Sequence, residues 1–214
     1  YWLWCFFLKS NDGELINCMT DLTARHGRLQ REASLGGRYI SSFRQVIIRH
    51  GLIMGAFLLL CLLTPEAIDT VSWGFSALLL SPLYYVIGLP AIFLLFLGYW
   101  SLTGRSIDKK SIIWLLYLLF ISLVEEIVFR LILPVILLPN AGLLLGIILS
   151  NGIFATIHFF TLRWKVVNCI GAFLGGLAFS RLFFNTEDIA LVILVHWVLT
   201  FLNTPAPPKP ILSD

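Results

Sequence analysis

Long, predominantly apolar runs constrain this chain more than any other feature of its sequence. A bilayer core about 30 Å thick is crossed by roughly 20 apolar residues in a helix. Runs near this length recur at 46–63, 73–100, 112–138, 141–161, 166–184 and 189–202. Hydrophobic residues make up 58% of the 214 residues and charged residues only 13%, which excludes a soluble globular domain, a disordered chain and a disulfide scaffold. We therefore predict an all-α, polytopic transmembrane helix bundle with about six spans.

The placement of the cationic residues predicts which side of the membrane each loop faces. The segment before the first run and the start of that run are rich in arginine, at Arg25, Arg28, Arg31, Arg38, Arg44 and Arg49. Every second loop after it is also cationic, and the loops between carry acidic residues or no charge. The positive-inside rule then places both ends of the chain in the cytoplasm. The net charge of +3 is small, and we expect no nucleic-acid partner.

Three of the apolar runs, the third, the fourth and the sixth, contain the ionisable side chains that are candidates for function. Each costs about 3 kcal/mol to place inside a membrane, so such residues are candidates for function. The third run contains Glu125, Glu126 and Arg130. Glu126 and Arg130 are four residues apart and can pair on one helix face, whereas Glu125 lies about 100° around the axis and can face a cavity. The fourth and sixth runs add His158 and His196, and a single shared site is expected.

One carboxylate and two imidazoles in a partly dry cavity are suited to water activation. A glutamate with a neighbouring histidine can take a proton from water, while a second histidine and a hydroxyl or amide donor stabilise an oxyanion. This chemistry indicates amide hydrolysis. The same residues could instead form interhelical hydrogen bonds or a proton or ion pathway. They could also hold a divalent metal ion, but the spacing is not HExxH and no cysteine joins them, so the spacing alone is weak evidence for a metal site.

These residues resemble the motifs of the CPBP family, which comprises type II CAAX prenyl proteases and bacteriocin-processing enzymes and is also called the ABI family. The family's Glu-Glu-xxx-Arg, Phe-xxx-His and His-xxx-Asn/Asp motifs are matched in order by Glu125, Glu126 and Arg130, by Phe154 and His158, and by His196. A glycine-rich stretch at 171–177 is similar to the family's helix between the second and third motifs. The resemblance covers about 112–203.

The resemblance implies an intramembrane endopeptidase in which Glu125 activates water with help from His158. His196 and the last motif residue would stabilise the oxyanion, and Glu126 and Arg130 would support the site. It implies a membrane-associated peptide or protein substrate, prenylated or carrying a leader, and no obligatory metal. We expect membrane lipids as partners and a bacterial inner membrane as the location, with a eukaryotic endomembrane as the alternative.

The last motif is incomplete in this chain. Thr200 stands where the family has Asn or Asp, and its hydroxyl has neither the reach nor the geometry of an amide. Asn203, one turn further on, could substitute if the last helix were shifted. An alternative therefore stays open, in which the protein is a catalytically inactive CPBP-like subunit that binds or assembles a larger membrane complex.

Four segments are predicted along the chain. Residues 1–45 form a basic, interfacial cytoplasmic segment, 46–110 two accessory transmembrane helices, 111–203 a four-helix catalytic core, and 204–214 a proline-rich tail. The basic segment is expected to rest on anionic headgroups. His26 and His50 lie beside arginines in this segment or at its border, and we expect them to be interfacial.

Overall fold

The fold is taken from a computed structural model that describes residue 40 and residues 42–208. No strand occurs in these ranges, which agrees with the all-α prediction. The helices are α1 (Phe43–Leu62), α2 (Ala67–Gly74), α3 (Ser76–Leu80), α4 (Pro82–Leu102), α5 (Lys109–Glu126), α6 (Leu133–Thr161), α7 (Val166–Thr186) and α8 (Ile189–Asn203). Two stretches are π-helical: Ile47–Gly51 within α1, and Ile127–Ile132 between α5 and α6.

Four helical runs are long and apolar enough to cross a membrane: Phe43–Leu62, Pro82–Leu102, Lys109–Thr161 and Val166–Thr186. The last helix, α8, is apolar but has only 15 residues. These runs are those of an integral membrane protein. The count of six crossings and the cytoplasmic placement of both ends stay predictions.

The run Lys109–Thr161 folds back on itself. Its 53 residues would extend about 80 Å as one straight helix, far more than a bilayer core. Gly142 breaks the helix with φ 72° and ψ 166°, a backbone region open to glycine. The Ser150 hydroxyl then donates to the Phe129 carbonyl at 2.7 Å, so the two arms lie side by side. The break falls just after the predicted turn at 139–140, because Pro139 is accommodated within the helix.

The predicted second run, 73–100, is not one helix. Helix α2 begins earlier, at Ala67, and the chain breaks again at Ser81, whose φ of −134° and ψ of 55° are not helical. Ser81 precedes Pro82, and a residue before proline avoids the helical conformation, whereas proline favours the first turn of a helix. Helix α4 therefore starts at Pro82.

The outer surface of the protein is far more apolar than that of a soluble protein. Large apolar side chains face outward, with Leu63, Leu79, Leu80 and Leu102 each about 80% exposed. Buried apolar residues around the stretch Ile127–Ile132 form one core cluster, and aromatic residues near the end of α8 form a second. The buried ionisable residues lie beside the first cluster.

Candidate active site

Buried ionisable side chains from α1, α5, α6 and α8 meet at one place. Glu125 is 3% exposed and Glu126 is fully buried, and His158 and His196 are 5% and 9% exposed. The three predicted motifs are thus brought together. A carboxylate group this deeply buried requires partners.

Irregular helical geometry coincides with the site. Glu125 and Glu126 are the last residues of α5, and Arg130 lies within the π-helical stretch Ile127–Ile132 that follows. The second π-helical stretch, Ile47–Gly51, contains His50. Single π turns inside α-helices are frequent at functional sites, because they change the direction in which neighbouring side chains point.

Glu125 has an imidazole nitrogen on each side. Its Oε1 atom lies 2.8 Å from Nε2 of His50 and 3.5 Å from Nε2 of His158. Its Oε2 atom lies 3.6 Å from Nε2 of His196. The carboxylate is therefore in direct reach of groups that can share or exchange a proton with it.

Glu126 joins His196 to Arg130. Its Oε1 atom lies 2.6 Å from Nδ1 of His196, and its Oε2 atom forms an ion pair with Nε of Arg130 at 3.0 Å. The guanidinium group also lies 4.6 Å from the centre of the Phe154 ring, a distance typical of a cation–π contact. Glu126 thus fixes the ring of His196 with Nε2 directed at Glu125.

His158 is oriented by its own helix. Its Nδ1 atom lies 2.8 Å from the Phe154 carbonyl, and because a carbonyl only accepts, Nδ1 must donate. The Nε2 atom is left to face Glu125. The rings of His50 and Trp164 pack on His158 at 4.9 Å and 4.7 Å between centres.

A second polar contact lies behind Arg130. The Asn151 amide donates to the Ser180 hydroxyl at 3.0 Å and to the Ile147 carbonyl at 2.9 Å. A Cβ atom at Gly176 would lie 2.1 Å from Oδ1 of Asn151 and 3.1 Å from Nη2 of Arg130. The glycine-rich stretch of α7 thus makes room for both polar side chains.

Thr200 and Asn203 stand apart from this arrangement. Thr200 is half-buried one turn after His196, and Asn203 is exposed at the end of α8. Among the described residues, no hydrogen bond links either side chain to the glutamates or histidines. The only donor that α8 directs at Glu125 in this part of the chain is His196.

His50 is the site residue that the sequence interpretation missed. It was expected to be interfacial, and this was wrong: it is 3% exposed and bonds to Glu125. The neighbouring Arg49 is used in packing, since its Nε and Nη2 atoms donate to the Thr161 and Phe160 carbonyls at 3.1 Å each. The available signal was the position of His50 inside the run 46–63. His26 lies outside the described residues.

Three of these side chains could hold a divalent cation. His50, Glu125 and His158 each offer one ligand atom, and these atoms lie within 4.8 Å of one another. Two imidazoles and a carboxylate are a ligand set that zinc accepts. Both Nδ1 atoms have hydrogen-bond partners, which leaves the Nε2 atoms facing inward, as in many metal centres.

Comparison with known protein families gives a match over the second half of the chain. Residues 108–202 match the family described as type II CAAX prenyl endopeptidase, Rce1-like. No curated protein and no solved structure matches the chain. The predicted site residues all lie inside the matched segment, and His50 lies outside it. The match confirms the resemblance to the CPBP membrane proteases.

Proposed function

Because residues 108–202 match the family described as type II CAAX prenyl endopeptidase, Rce1-like, we propose that this membrane protein is a glutamate-dependent intramembrane protease. Its substrate would be a membrane-associated peptide or protein. The observation that carries the proposal is the environment of Glu125, whose carboxylate has three imidazole Nε2 atoms within 3.6 Å. A carboxylate positioned in this way can act as the general base for a water molecule, with imidazoles in reach to orient that water.

In the proposed reaction, Glu125 takes a proton from a water molecule while the oxygen of that water attacks the peptide carbonyl carbon. His158 helps to orient that water, since its Nε2 atom faces the same carboxylate. As the carbon–nitrogen bond breaks, Glu125 returns the proton to the leaving amine. Two products form, a new carboxyl end and a new amino end, and the enzyme regains its starting state.

His196 is assigned to the oxyanion. With Glu126 on Nδ1, a doubly protonated His196 presents Nε2–H towards the reacting centre. The ion pair with Arg130 at 3.0 Å holds the Glu126 carboxylate in place for this role. A preorganised donor of this kind stabilises the charge that develops in the transition state.

An apolar groove supports a lipid-associated substrate. It lies between α1, α6 and α7, has a volume of about 550 Å³, and is lined by Ile53, Ile157, Phe160 and Phe173 among others. Thr161 forms part of its wall and contacts His50. A lipidated or membrane-inserted chain could therefore lie beside the site.

We propose a bacterial inner membrane as the location.

The proposal is tested by cleavage of a peptide panel with the full chain in nanodiscs. The panel contains prenylated C-terminal peptides, their unprenylated counterparts and leader-type peptides, and mass spectrometry identifies the cleaved bond. We expect cleavage that persists in the presence of a chelator, because Glu125 itself activates the water. No cleavage of any peptide by folded protein would favour the inactive-subunit alternative. Loss of cleavage with chelator and recovery with zinc would contradict the metal-free mechanism.

A further inference from the structure

His50 is the one ionisable residue at the site that comes from outside the matched segment 108–202 among the described residues. We propose that His50 is a positioning residue: it holds Oε1 of Glu125 and so fixes the plane of the carboxylate between His158 and His196. This inference rests on the proposed function and assigns part of the first helix to the active site.

Both ring nitrogens of His50 are engaged. The single proton of the Thr161 hydroxyl is donated to the Ile157 carbonyl at 2.7 Å. Thr161 therefore accepts from Nδ1–H of His50, at 2.8 Å. This contact fixes the imidazole with Nε2 pointing at Oε1 of Glu125, also at 2.8 Å.

The contact from Nε2 of His50 to Oε1 of Glu125, here called the anchor, is useful in both halves of the reaction. When both ring nitrogens carry a proton, the Nε2–H group of His50 can donate to Oε1 while Glu125 is ionised and after the other oxygen of Glu125 has received a proton. The carboxylate then keeps its orientation as the proton is taken up and returned. Positioning of this kind matters because a displacement of about 1 Å can cost about 100-fold in rate.

His50 enters the site where α1 packs on the end of α6, and a second side chain of α1 contacts the same helix end. Arg49 donates to the carbonyls of Phe160 and Thr161, and the next residue, His50, bonds to the Thr161 hydroxyl. Both lie in the π-helical stretch Ile47–Gly51. Arg49 fastens the helices without contacting Glu125, so it provides a matched control for the loss of helix packing.

The kinetic test compares His50→Leu, His50→Gln and Arg49→Gln with the wild type. We expect kcat to fall about 100-fold in His50→Leu with KM unchanged. His50→Gln should recover to within about tenfold of wild type, because its amide nitrogen can replace Nε2 as a donor. Arg49→Gln should lower the thermal midpoint but leave kcat of the folded protein unchanged. Equal kcat in His50→Leu and wild type would overturn the proposal, and so would equal losses in the Leu and Gln variants.

A second measurement does not depend on proteolysis. Dicyclohexylcarbodiimide, an apolar reagent, adds to a carboxyl group that is protonated and not held by a partner. We expect faster labelling of Glu125 in His50→Leu than in wild type or His50→Gln, measured by mass spectrometry of the peptide that contains Glu125. Equal labelling of Glu125 in His50→Leu and wild type would overturn the proposed role of His50, even if the protein cleaves no peptide. Loss of one bound metal ion per chain in His50→Leu would also overturn it, since His50 would then be a ligand.

Discussion

At the scale of single residues, the site depends on how each imidazole is held. His196 is fixed by Glu126, and His158 is fixed by the Phe154 carbonyl. Both of these hydrogen bonds join motif residues that the sequence identifies. The contact of Glu125 with His50 joins positions 75 residues apart, and no local spacing rule predicts it.

Thr200 provides the first prediction at this scale. In the proposed mechanism the oxyanion has His196 as its donor from α8, and an amide at position 200 would supply a second donor one turn away. We expect Thr200→Asn to raise kcat by about tenfold or more, since removal of one such donor elsewhere costs about 100-fold or more. Cleavage rates of the best peptide in the panel measure this effect.

The control for that variant is Thr200→Val, which keeps the side-chain shape and removes the hydroxyl. The Thr200 hydroxyl makes no hydrogen bond with the glutamates or histidines of the described chain, so kcat should stay near that of wild type. A large loss in Thr200→Val would show that the hydroxyl already serves as the oxyanion donor.

Gly176 provides the second prediction. An added methyl group would overlap Oδ1 of Asn151 at 2.1 Å and crowd Arg130. We expect Gly176→Ala to lower the free energy of unfolding by about 1–3 kcal/mol, as overpacking does, and to reduce activity because Arg130 is displaced. The neighbouring Gly175 has no atom within 4 Å of such a methyl group, so Gly175→Ala should be neutral or stabilising. Equal thermal midpoints for the two variants would contradict the packing.

At the scale of helices, irregular positions bring the polar residues together. The two π-helical stretches hold or adjoin His50, Glu126 and Arg130. The break at Gly142 lets the His158 arm return beside the Glu125 arm. Apolar periodicity locates helices, but it does not locate a π turn, because one inserted residue leaves the composition of a run unchanged.

Gly142 carries the prediction at this scale. Its φ of 72° and ψ of 166° are strained for any residue with a side chain. We expect Gly142→Ala to lower the free energy of unfolding by about 1–3 kcal/mol. The helical Gly152 has open space around a Cβ atom, so Gly152→Ala is the control and should not destabilise. The two variants are compared by thermal unfolding in the same nanodiscs. A destabilised Gly152→Ala together with an unaffected Gly142→Ala would contradict the break in the helix at Gly142.

At the scale of the whole molecule, apolar composition made the membrane class and the all-α fold predictable. The three motifs made the grouping of Glu125, His158 and His196 predictable, because buried ionisable residues in a membrane must find partners. The division of the run 73–100 follows from the local effect of Pro82 on Ser81, which hydropathy does not report. The burial of His50, by contrast, depended on how α1 packs on α6. Tertiary packing of this kind is not encoded in hydropathy.

The central claim is that Glu125 activates the water that cleaves the peptide. It is tested most directly by kcat of Glu125→Gln, which keeps the shape of the side chain and removes the base. The control is Glu66→Gln, at an exposed carboxylate before α2. We predict a loss of at least about 100-fold in folded Glu125→Gln and no change in Glu66→Gln. Retention of wild-type kcat by Glu125→Gln would contradict the mechanism.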